Sequence, residues 1–397
     1  MKYLLLIFTI FSLQTFATNP LRTSDKTVVE DSITELGFAL FEKIDTGKEN
    51  TVYSPFSVTS SLFVLSYGSN NKTNKEIKKA LKLNLSDEKL PLVYNRIYTD
   101  LFISEKPCDF LLTNLAFIDF STLILTSFKK AAVSNFHVKI EQGSFEKNQK
   151  KEIDRINKYI ASMTEFKILN ILSRSDISDY TRLLFINTLF MKGVWKSPFN
   201  LSETQPSAFF SPQGEITVYK MRQTSELLYH ENSDFKTAAL PIGCKSNKTD
   251  IKMLILLPKR KDARISNKMF KQIANNLSYS YLNIEIPRFA LNQKYSLKKA
   301  LKELGIVQAF TRTADFSNIN DRLDLYLNNV IHESFLKIDE NGINVKDEDI
   351  KVTEYKADLD QKAISFNVDR PFYIIICDLK SKVILFIGKI QRPYEFI

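Results

Sequence analysis

The chain has 397 residues, of which 44% are hydrophobic and 25% are charged, and its formal net charge is +10. These values are typical of a soluble globular protein with one large domain or two medium ones. Glycine is scarce, with only 10 residues, and no glycine-rich phosphate loop, repeat or low-complexity segment is visible, which argues against those kinds of site and architecture.

The N-terminus has the features of a secretory signal peptide. An apolar run from Tyr3 to Leu13 follows the first two residues, and Thr15 and Ala17 are small residues at a cleavage position. The run is too short for the alternative, an anchor that spans a bilayer. We therefore expect a signal peptide at 1–17, a mature domain at 18–397, and a secreted, extracellular protein with no membrane partner.

Helical spacing and start signals predict helices mainly in the first half of the chain. Ser54 followed by Pro55 is a start signal, because proline fits a first helical turn and the serine hydroxyl can cap it. The predicted helices are Thr27–Leu40, Val58–Tyr67 after this start signal, Glu76–Leu83, Leu92–Phe102, Glu152–Tyr159 and Leu297–Leu304.

Short apolar or alternating runs predict strands mainly in the second half. The predicted strands are Leu111–Ile118, Leu183–Met191, Met253–Leu257, Tyr281–Ile286, Asp324–Val330, Phe372–Ile376 and Val383–Ile390. A helical first half followed by a strand-rich second half indicates an α+β architecture.

A long polar segment follows Gly342 and ends before the strand predicted at Phe372–Ile376. Loops of this length are uncommon inside a compact domain and are usually functional or disordered. Because this one lies between two predicted strands of a globular chain, we expect a recognition site on it.

Several motifs resemble the serpin family and follow one another in the family's order. The segment Asn187–Trp195 is similar to a central strand of that fold with its tryptophan, and Ile156–Ile160 is similar to a helix motif. The other matches are Ile286–Phe289, Ala314–Ser317, Val330–His332 and Phe386–Ile390, with Pro393 after them. Phe166 departs from the pattern, because the family usually has glycine at this position.

The resemblance implies the serpin fold, an α+β architecture of about nine helices around three β-sheets with an exposed reactive-centre loop at about 342–366. In the family's mechanism, a protease cleaves this loop and is acylated through its own serine. The loop then inserts into the central sheet as a new strand and carries the protease with it. The inhibitor supplies no catalytic group and releases free energy stored in a strained native state.

The resemblance also assigns roles to individual residues. The hinge that would insert first contains Glu340, Gly342, Ile343, Val345, Asp347 and Asp349. The shutter beneath the central sheet contains Ser54, Ser57, Asn187 and His332, and the breach above it contains Trp195. Alternate hinge side chains would face inward in an inserted strand, where a buried, unpaired aspartate costs free energy or takes up a proton.

The scissile bond has two candidate positions. Counting forward from Gly342 by the usual family spacing places it at Lys356–Ala357, whereas counting back from Pro371 places it near Asp360–Gln361. We choose Lys356–Ala357, because a lysine before the bond suits a trypsin-like protease whose specificity pocket holds a carboxylate.

The expected secretion affects how the cysteines and the glycosylation sequons are interpreted. Three cysteines are too few for a disulfide framework; Cys377 ends an apolar run and is interpreted as a buried thiol, which leaves a Cys108–Cys244 bridge open. Five asparagines begin Asn-X-Ser/Thr sequons and are candidate glycosylation sites. They are Asn71, Asn84, Asn200, Asn247 and Asn276.

Basic residues cluster at Lys72–Lys82, Lys147–Lys151 and Lys259–Arg264. They suit a heparin-like polyanion as a partner, and the alternative is a solvated basic surface. The chain has only 3 histidines, in no order that suggests catalysis, and His137 and His230 are interpreted as surface residues. We expect no enzyme activity, cofactor, metal site or nucleic-acid partner, and a monomer.

Three functions follow from these observations. The first is a secreted serpin that inhibits a trypsin-like serine protease. The second is a non-inhibitory serpin that acts as a binding or carrier protein, with a loop that is cleaved only as a substrate, and the acidic residues Asp347 and Asp349 favour it. The third is an extracellular protein that binds polyanions through its basic surface.

Overall fold

The computed structural model describes residues 22–103, 108–243, 248–345 and 363–394. Nine α-helices lie within these ranges, together with short 3-10 or π-helical turns. The helices are α1 (Thr23–Ile44), α2 (Pro55–Tyr67), α3 (Asn71–Ala80), α4 (Leu90–Tyr98), α5 (Thr126–Ser134), α6 (Phe145–Met163), α7 (Asn267–Asn276), α8 (Lys298–Glu303) and α9 (Ser317–Asn320).

Fifteen β-strands lie within the same ranges. They are β1 (Thr51–Tyr53), β2 (Asp109–Asp119), β3 (Val138–Gly143), β4 (Leu183–Val194), β5 (Gln205–Ser211), β6 (Gly214–Glu231), β7 (Phe235–Pro241), β8 (Ile251–Pro258), β9 (Ser278–Pro287), β10 (Phe289–Ser296), β11 (Leu327–Asp339), β12 (Gly342–Ile343), β13 (Ile364–Asn367), β14 (Phe372–Asp378) and β15 (Ile384–Ile390).

Local sequence signals account for many of these elements. Helix α2 begins at Pro55, and the Ser54 hydroxyl accepts a hydrogen bond from the Ser57 amide at 3.1 Å, as the start signal predicts. The strand predicted to start at Asp324 starts three residues later, at Leu327, and the helix predicted to reach Phe102 ends as an α-helix at Tyr98 before a π-helical turn. No strand was predicted for β5, β6 and β7.

The smaller sheet has six strands in the order β10-β11-β12-β4-β2-β3. Strands β11 and β4 also pair directly and in parallel along most of their length, from Leu327 with Leu183 to Ser334 with Leu189. Beyond that point the two strands separate, and the two-residue strand β12 lies between them. This central sheet is therefore closed over most of its length and open at one end.

The larger sheet contains nine strands, with β5 paired to β6 at its side. Strand β6, 18 residues long, pairs in turn with β5, β9 and β7. The structure has two sheets among the described residues where three were expected. Strand β6 joins two of the expected sheets into one by continuous hydrogen bonding.

The main hydrophobic core lies between the two sheets and the helices, and α2 is almost entirely buried in it. A second apolar cluster lies on the other face of the central sheet, beneath α6, and includes Phe117, Phe145, Ile156, Ile186 and Ile331. The central sheet is thus covered on both faces. Among the described residues, no helix combines the length and the apolar character needed to cross a bilayer.

Candidate functional site

The candidate site is the open end of the central sheet, where the chain leaves β11 and turns back into the same sheet. Gly342 pairs with Asp339 of β11 on one side and with Val194 of β4 on the other. Ile343 pairs in the same way with Ile338 and Gly193. The first two residues of the predicted reactive-centre loop therefore form a strand that is antiparallel to both neighbours.

Gly342 is required by close packing as well as by its backbone conformation. Its φ of +151° lies in a region that favours glycine. A Cβ at this position would overlap the carbonyl oxygen of Gly193 and lie 2.9 Å from the Cα of Val194. Because the obstructing atoms belong to the backbone of β4, no side-chain adjustment can make room for it. The glycine thus lets β12 approach β4.

The side chains of Ile343 and Val345 are buried, with exposed fractions of 0% and 6%. Two apolar residues of the predicted hinge thus already contribute to the interior. Asp347 and Asp349 lie outside the described residues, as do Lys356 and Ala357 of the predicted scissile bond. The inward orientation of the two aspartates in an inserted strand therefore stays a prediction.

Glu340 directly follows β11 and is buried. Its Oε1 accepts a hydrogen bond from the Thr204 hydroxyl at 2.7 Å and lies 3.6 Å from Nη1 of Arg288. The guanidinium of Arg288 also stacks on the ring of Tyr219, 4.9 Å from its centroid. Arg288, which lies in the Ile286–Phe289 motif, and Thr204, which the sequence did not single out, therefore hold the hinge glutamate in place.

Trp195, the predicted breach residue, follows β4 and has an exposed fraction of 2%. Its indole N–H donates to the Asp339 carbonyl at 2.9 Å, and its backbone N–H donates to the Asn341 carbonyl at 2.9 Å. The tryptophan is thus bonded to both ends of the turn that precedes β12. As the only tryptophan in the chain, it is a natural fluorescent reporter of this turn.

The predicted shutter residues meet beneath the closed part of the sheet. The Nδ1 of His332 is 2.6 Å from Oδ1 of Asn187, whose Nδ2 donates to the Ser61 hydroxyl at 3.2 Å. The Nε2 accepts from the backbone N–H of Ser54 at 3.0 Å and lies 2.7 Å from the Ser334 hydroxyl. The network links β11, β4 and the start of α2.

These contacts define the protonation state of His332. Since Nε2 accepts a hydrogen bond from a backbone N–H, the proton is on Nδ1, which donates to Asn187. Burial lowers the pKa of His332 from 6.5 to about 3, so the ring is neutral at neutral pH. Ser57 is buried nearby and donates a hydrogen bond from its backbone N–H to Ser54, while its hydroxyl has no hydrogen-bond partner among the described residues.

The comparison with known proteins identifies the family of this chain. A family model described as Serpin (serine protease inhibitor) matches residues 31–393. The chain belongs to the serpin family. A serine protease inhibitor of Cyanea capillata is 28% identical over 362 residues, which cover 87% of this chain and 93% of that protein. Intracellular coagulation inhibitor 2 of Tachypleus tridentatus is 25% identical, with 92% of this chain and 91% of that protein covered.

Solved structures similar to this serpin confirm the α+β serpin fold. Native protease nexin-1 with heparin has a TM-score of 0.82 at 22% identity, with 93% of this chain and 100% of that chain covered. Human thyroxine-binding globulin has the same TM-score and identity, with 94% and 100% covered. Structures that differ this much in sequence establish the architecture of the serpin described here.

The turn after α6 crosses the open end of the central sheet. Glu165 and Phe166 both have a positive φ, of 48° and 60°, and the Phe166 side chain is exposed. Glu165 forms an ion pair with Lys192 of β4, and the Lys167 ammonium lies 5.6 Å from the ring centroid of Phe335 on β11. This left-handed backbone is one that glycine adopts more readily than phenylalanine.

The cysteines and histidines of this serpin differ in environment. Cys108 is disulfide-bonded, Cys377 is free and buried, and Cys244 lies outside the described residues. His137 is half-buried, not a surface residue as predicted: its ring stacks on Tyr98 at 3.7 Å between centroids. Within the described ranges, no cluster of histidine, cysteine and acidic residues could hold a metal ion.

Four of the predicted glycosylation asparagines are exposed, and Asn247 lies outside the described residues. Asn71 differs from the others, because its side-chain amide donates to a carboxylate oxygen of Asp315 at 2.7 Å. The exposed asparagines are Asn71, Asn84, Asn200 and Asn276.

The basic clusters differ in how far their charge is neutralised. Lys259 and Arg260 form ion pairs with Glu231 and Asp234. In the Lys72–Lys82 cluster, the lysines paired with carboxylates are Lys72, Lys78 and Lys82. By contrast, exposed lysines at the start of α6 have no ion pair with any described residue. They are Lys147, Lys150 and Lys151.

Proposed function

We propose that this serpin inhibits a trypsin-like serine protease through cleavage of its reactive-centre loop and insertion of that loop into the central sheet. The observation that carries the proposal is the position of β12, which pairs with both β11 and β4. A sheet that pairs the first two residues of the loop with both of two parallel strands has the geometry to pair the residues that follow in the same way.

The free energy for this reaction would come from the sheet itself. Each residue added between the two strands replaces hydrogen bonds to water with hydrogen bonds to the sheet, at about 1 kcal/mol each. The protease supplies the chemistry: its serine attacks the carbonyl carbon of Lys356, the bond to Ala357 breaks, and the acyl group stays on the serine. Insertion would then displace the acylated protease before water releases it.

Formation of a covalent complex with trypsin tests this function. We expect a band on a denaturing gel with the combined mass of trypsin and the serpin less its C-terminal peptide, which begins at Ala357 and separates on denaturation. Lys356→Ala should abolish the complex, whereas Lys351→Ala, which removes another lysine of the same segment, should leave it intact. Cleavage of the wild-type serpin without any complex would contradict inhibition.

The alternative is a non-inhibitory serpin that acts as a binding or carrier protein. The observation that favours it is the acidic run with Asp347 and Asp349, which would have to enter the interior if insertion proceeded. The thermal unfolding midpoint of the cleaved serpin separates the two functions. A clear rise after cleavage supports insertion, whereas an unchanged midpoint supports the carrier function.

The proposal also includes secretion, glycosylation and the oligomeric state of the protein. We expect cleavage after Ala17, so that the secreted protein begins at Thr18, and N-terminal sequencing tests this. A shift in mass after enzymatic deglycosylation would show that the exposed sequons carry glycans. The mature chain is expected to be a single domain at 18–397 and a monomer, which light scattering measures.

A heparin-like polyanion is a second proposed partner. The three exposed lysines at the start of α6, Lys147, Lys150 and Lys151, lack carboxylate partners among the described residues and can therefore bind sulfates. Their replacement by alanine should reduce the salt needed to elute the protein from heparin. Replacement of Lys259 and Arg260, which are already paired with acidic side chains, should have a smaller effect.

A further inference from the structure

Asn344 follows β12 directly and lies in the gap between β11 and β4. Its φ is +52°, a left-handed conformation that turns the chain out of the strand direction, and its side chain is buried. Its backbone N–H donates to the Lys337 carbonyl at 2.8 Å, which continues the pairing of β12 with β11 by one residue. The backbone pairing with β11 therefore extends one residue beyond β12.

The side-chain carboxamide of Asn344 bonds to both strands that flank the gap. Its Oδ1 accepts a hydrogen bond from the Lys337 amide of β11 at 2.7 Å. Its Nδ2 donates to the Met191 carbonyl of β4 at 2.8 Å. A single planar amide thus joins the two strands across the open end of the sheet.

These two bonds are the ones that the next peptide group of an inserted strand would make. Continuing the register of β12 pairs residue 344 with Lys337 and residue 345 with Met191. In an extended strand, the carbonyl of 344 would then accept from the Lys337 amide, and the amide of 345 would donate to the Met191 carbonyl. Those two groups belong to one peptide bond, between Asn344 and Val345.

We propose that the carboxamide of Asn344 stands in for the 344–345 peptide group and holds the loop at two inserted residues. This inference rests on the proposed insertion of the loop. The carboxamide pairs with the Lys337 amide and the Met191 carbonyl in place of the backbone of an inserted strand, so it stabilises the partly inserted state. Further insertion requires Asn344 to leave the left-handed conformation, withdraw its side chain and give both partners to its own backbone.

Asn344 is in this view a positioning residue for inhibition, since it determines where the loop waits before cleavage. Its removal destabilises the native serpin, in which the carboxamide is needed, but not the inserted form, in which the peptide group replaces it. Loss of the carboxamide should therefore speed insertion.

Hydrogen exchange on the intact serpin tests the contact directly. Asn344→Gly removes the carboxamide and still allows a positive φ, so we expect the Lys337 amide to exchange about tenfold faster or more. Asn344→Asp keeps an acceptor for Lys337 and loses the donor to Met191, so it should preserve more of that protection. The matched control is Asn341→Gly, because the Asn341 side chain makes no hydrogen bond with the described residues and Lys337 should stay protected.

The rate of insertion tests the holding role. On incubation of the uncleaved protein at elevated temperature, Asn344→Gly should convert to the heat-resistant inserted form about tenfold faster than Asn341→Gly. Equal exchange of Lys337 in both variants would overturn the contact, and faster exchange with an unchanged conversion rate would overturn the holding role. Failure of wild-type protein to trap trypsin would overturn inhibition while leaving the exchange result unaffected.

Discussion

The same two strands, β11 and β4, meet in different ways along their length. From Leu327 to Ser334, β11 pairs directly with β4, so the backbone groups of both strands satisfy one another. From Phe335 to Lys337 the strands are apart, and the gap is bridged by the carboxamide of Asn344 and closed beyond it by β12. One sheet thus contains a closed part and an open part.

The polar chemistry differs between the two parts. Beneath the closed part, the imidazole of His332 connects side chains and a backbone amide on one face of the sheet, where they can change partners without a new strand. In the open part, the groups that need partners are backbone groups in the plane of the sheet. A paired strand satisfies such groups, and the proposed insertion of the loop would supply one.

Replacement of Gly342 by alanine should have the largest effect, because it should remove β12 from the open part of the sheet. The added Cβ would overlap the Gly193 carbonyl oxygen, so we expect β12 to leave the sheet at a cost of about 3 kcal/mol or more in unfolding free energy. Urea unfolding measures the loss, and Trp195 fluorescence reports the change in the adjoining turn.

The control for Gly342→Ala is Gly214→Ala. Gly214 also has a positive φ, of 121°, but nothing lies within 4 Å of the position that a Cβ would take, so its replacement carries only the backbone cost of roughly 1–2 kcal/mol. Equal losses in the two variants would show that close approach to β4 is not what Gly342 provides.

The closed part should be the more sensitive to acid. Burial lowers the pKa of His332 to about 3, whereas an unfolded chain takes up the proton near 6.5. Stability is therefore lost as the pH falls from about 6.5 towards 3, by about 1.4 kcal/mol per pH unit, or close to 3 kcal/mol at pH 4.5. His332→Gln removes this titration and should flatten the dependence.

The pH dependence of stability must be compared between the wild type and His332→Gln, because the titration of another group, Glu30, has the opposite effect on stability. Burial raises the pKa of Glu30 from 4.5 to about 7, so its contribution is present below pH 4.5 and is lost as the pH rises through 7. Glu30 is the same in wild type and His332→Gln, so the difference between their urea unfolding curves isolates the histidine. Parallel pH profiles would contradict the assignment.

The elements that could be predicted from the sequence are those whose signals lie close together in the chain. The start of α2 at Pro55 depends on a proline and a serine that are adjacent in the chain, and β14 and β15 are mostly apolar segments. The resemblance to serpins named His332 and Asn187, which the fold brings within 2.6 Å of each other. The fold class could therefore be predicted from the chain alone.

The parts that could not be predicted depend on register between distant strands. Asn344 is an ordinary polar residue in sequence, and its role appears only when Lys337 and Met191 are placed on either side of it. The same applies to Thr204, which meets Glu340 across 136 positions of the chain. Strand β6 could not be predicted, because its ends and its length are set by the strands that pair with it and not by an alternation of apolar and polar residues.

Replacement of Phe166 by glycine should have the smallest effect on stability. It tests the open part of the sheet from its other face. Phe166 has a φ of +60° in the turn between Glu165 and Lys167, which contact β4 and β11 across the open part. A non-glycine residue in this conformation costs roughly 1 kcal/mol, so Phe166→Gly should raise the unfolding free energy by about that amount.

Phe166→Ala separates the backbone effect from the loss of the exposed ring. It removes the ring and keeps the Cβ, so it should give little of the gain seen with glycine if the left-handed backbone is the cause. Urea unfolding of the two variants beside wild type measures the difference. If alanine and glycine stabilise equally, the exposed ring, and not the backbone of the turn across the open part, is what limits stability there.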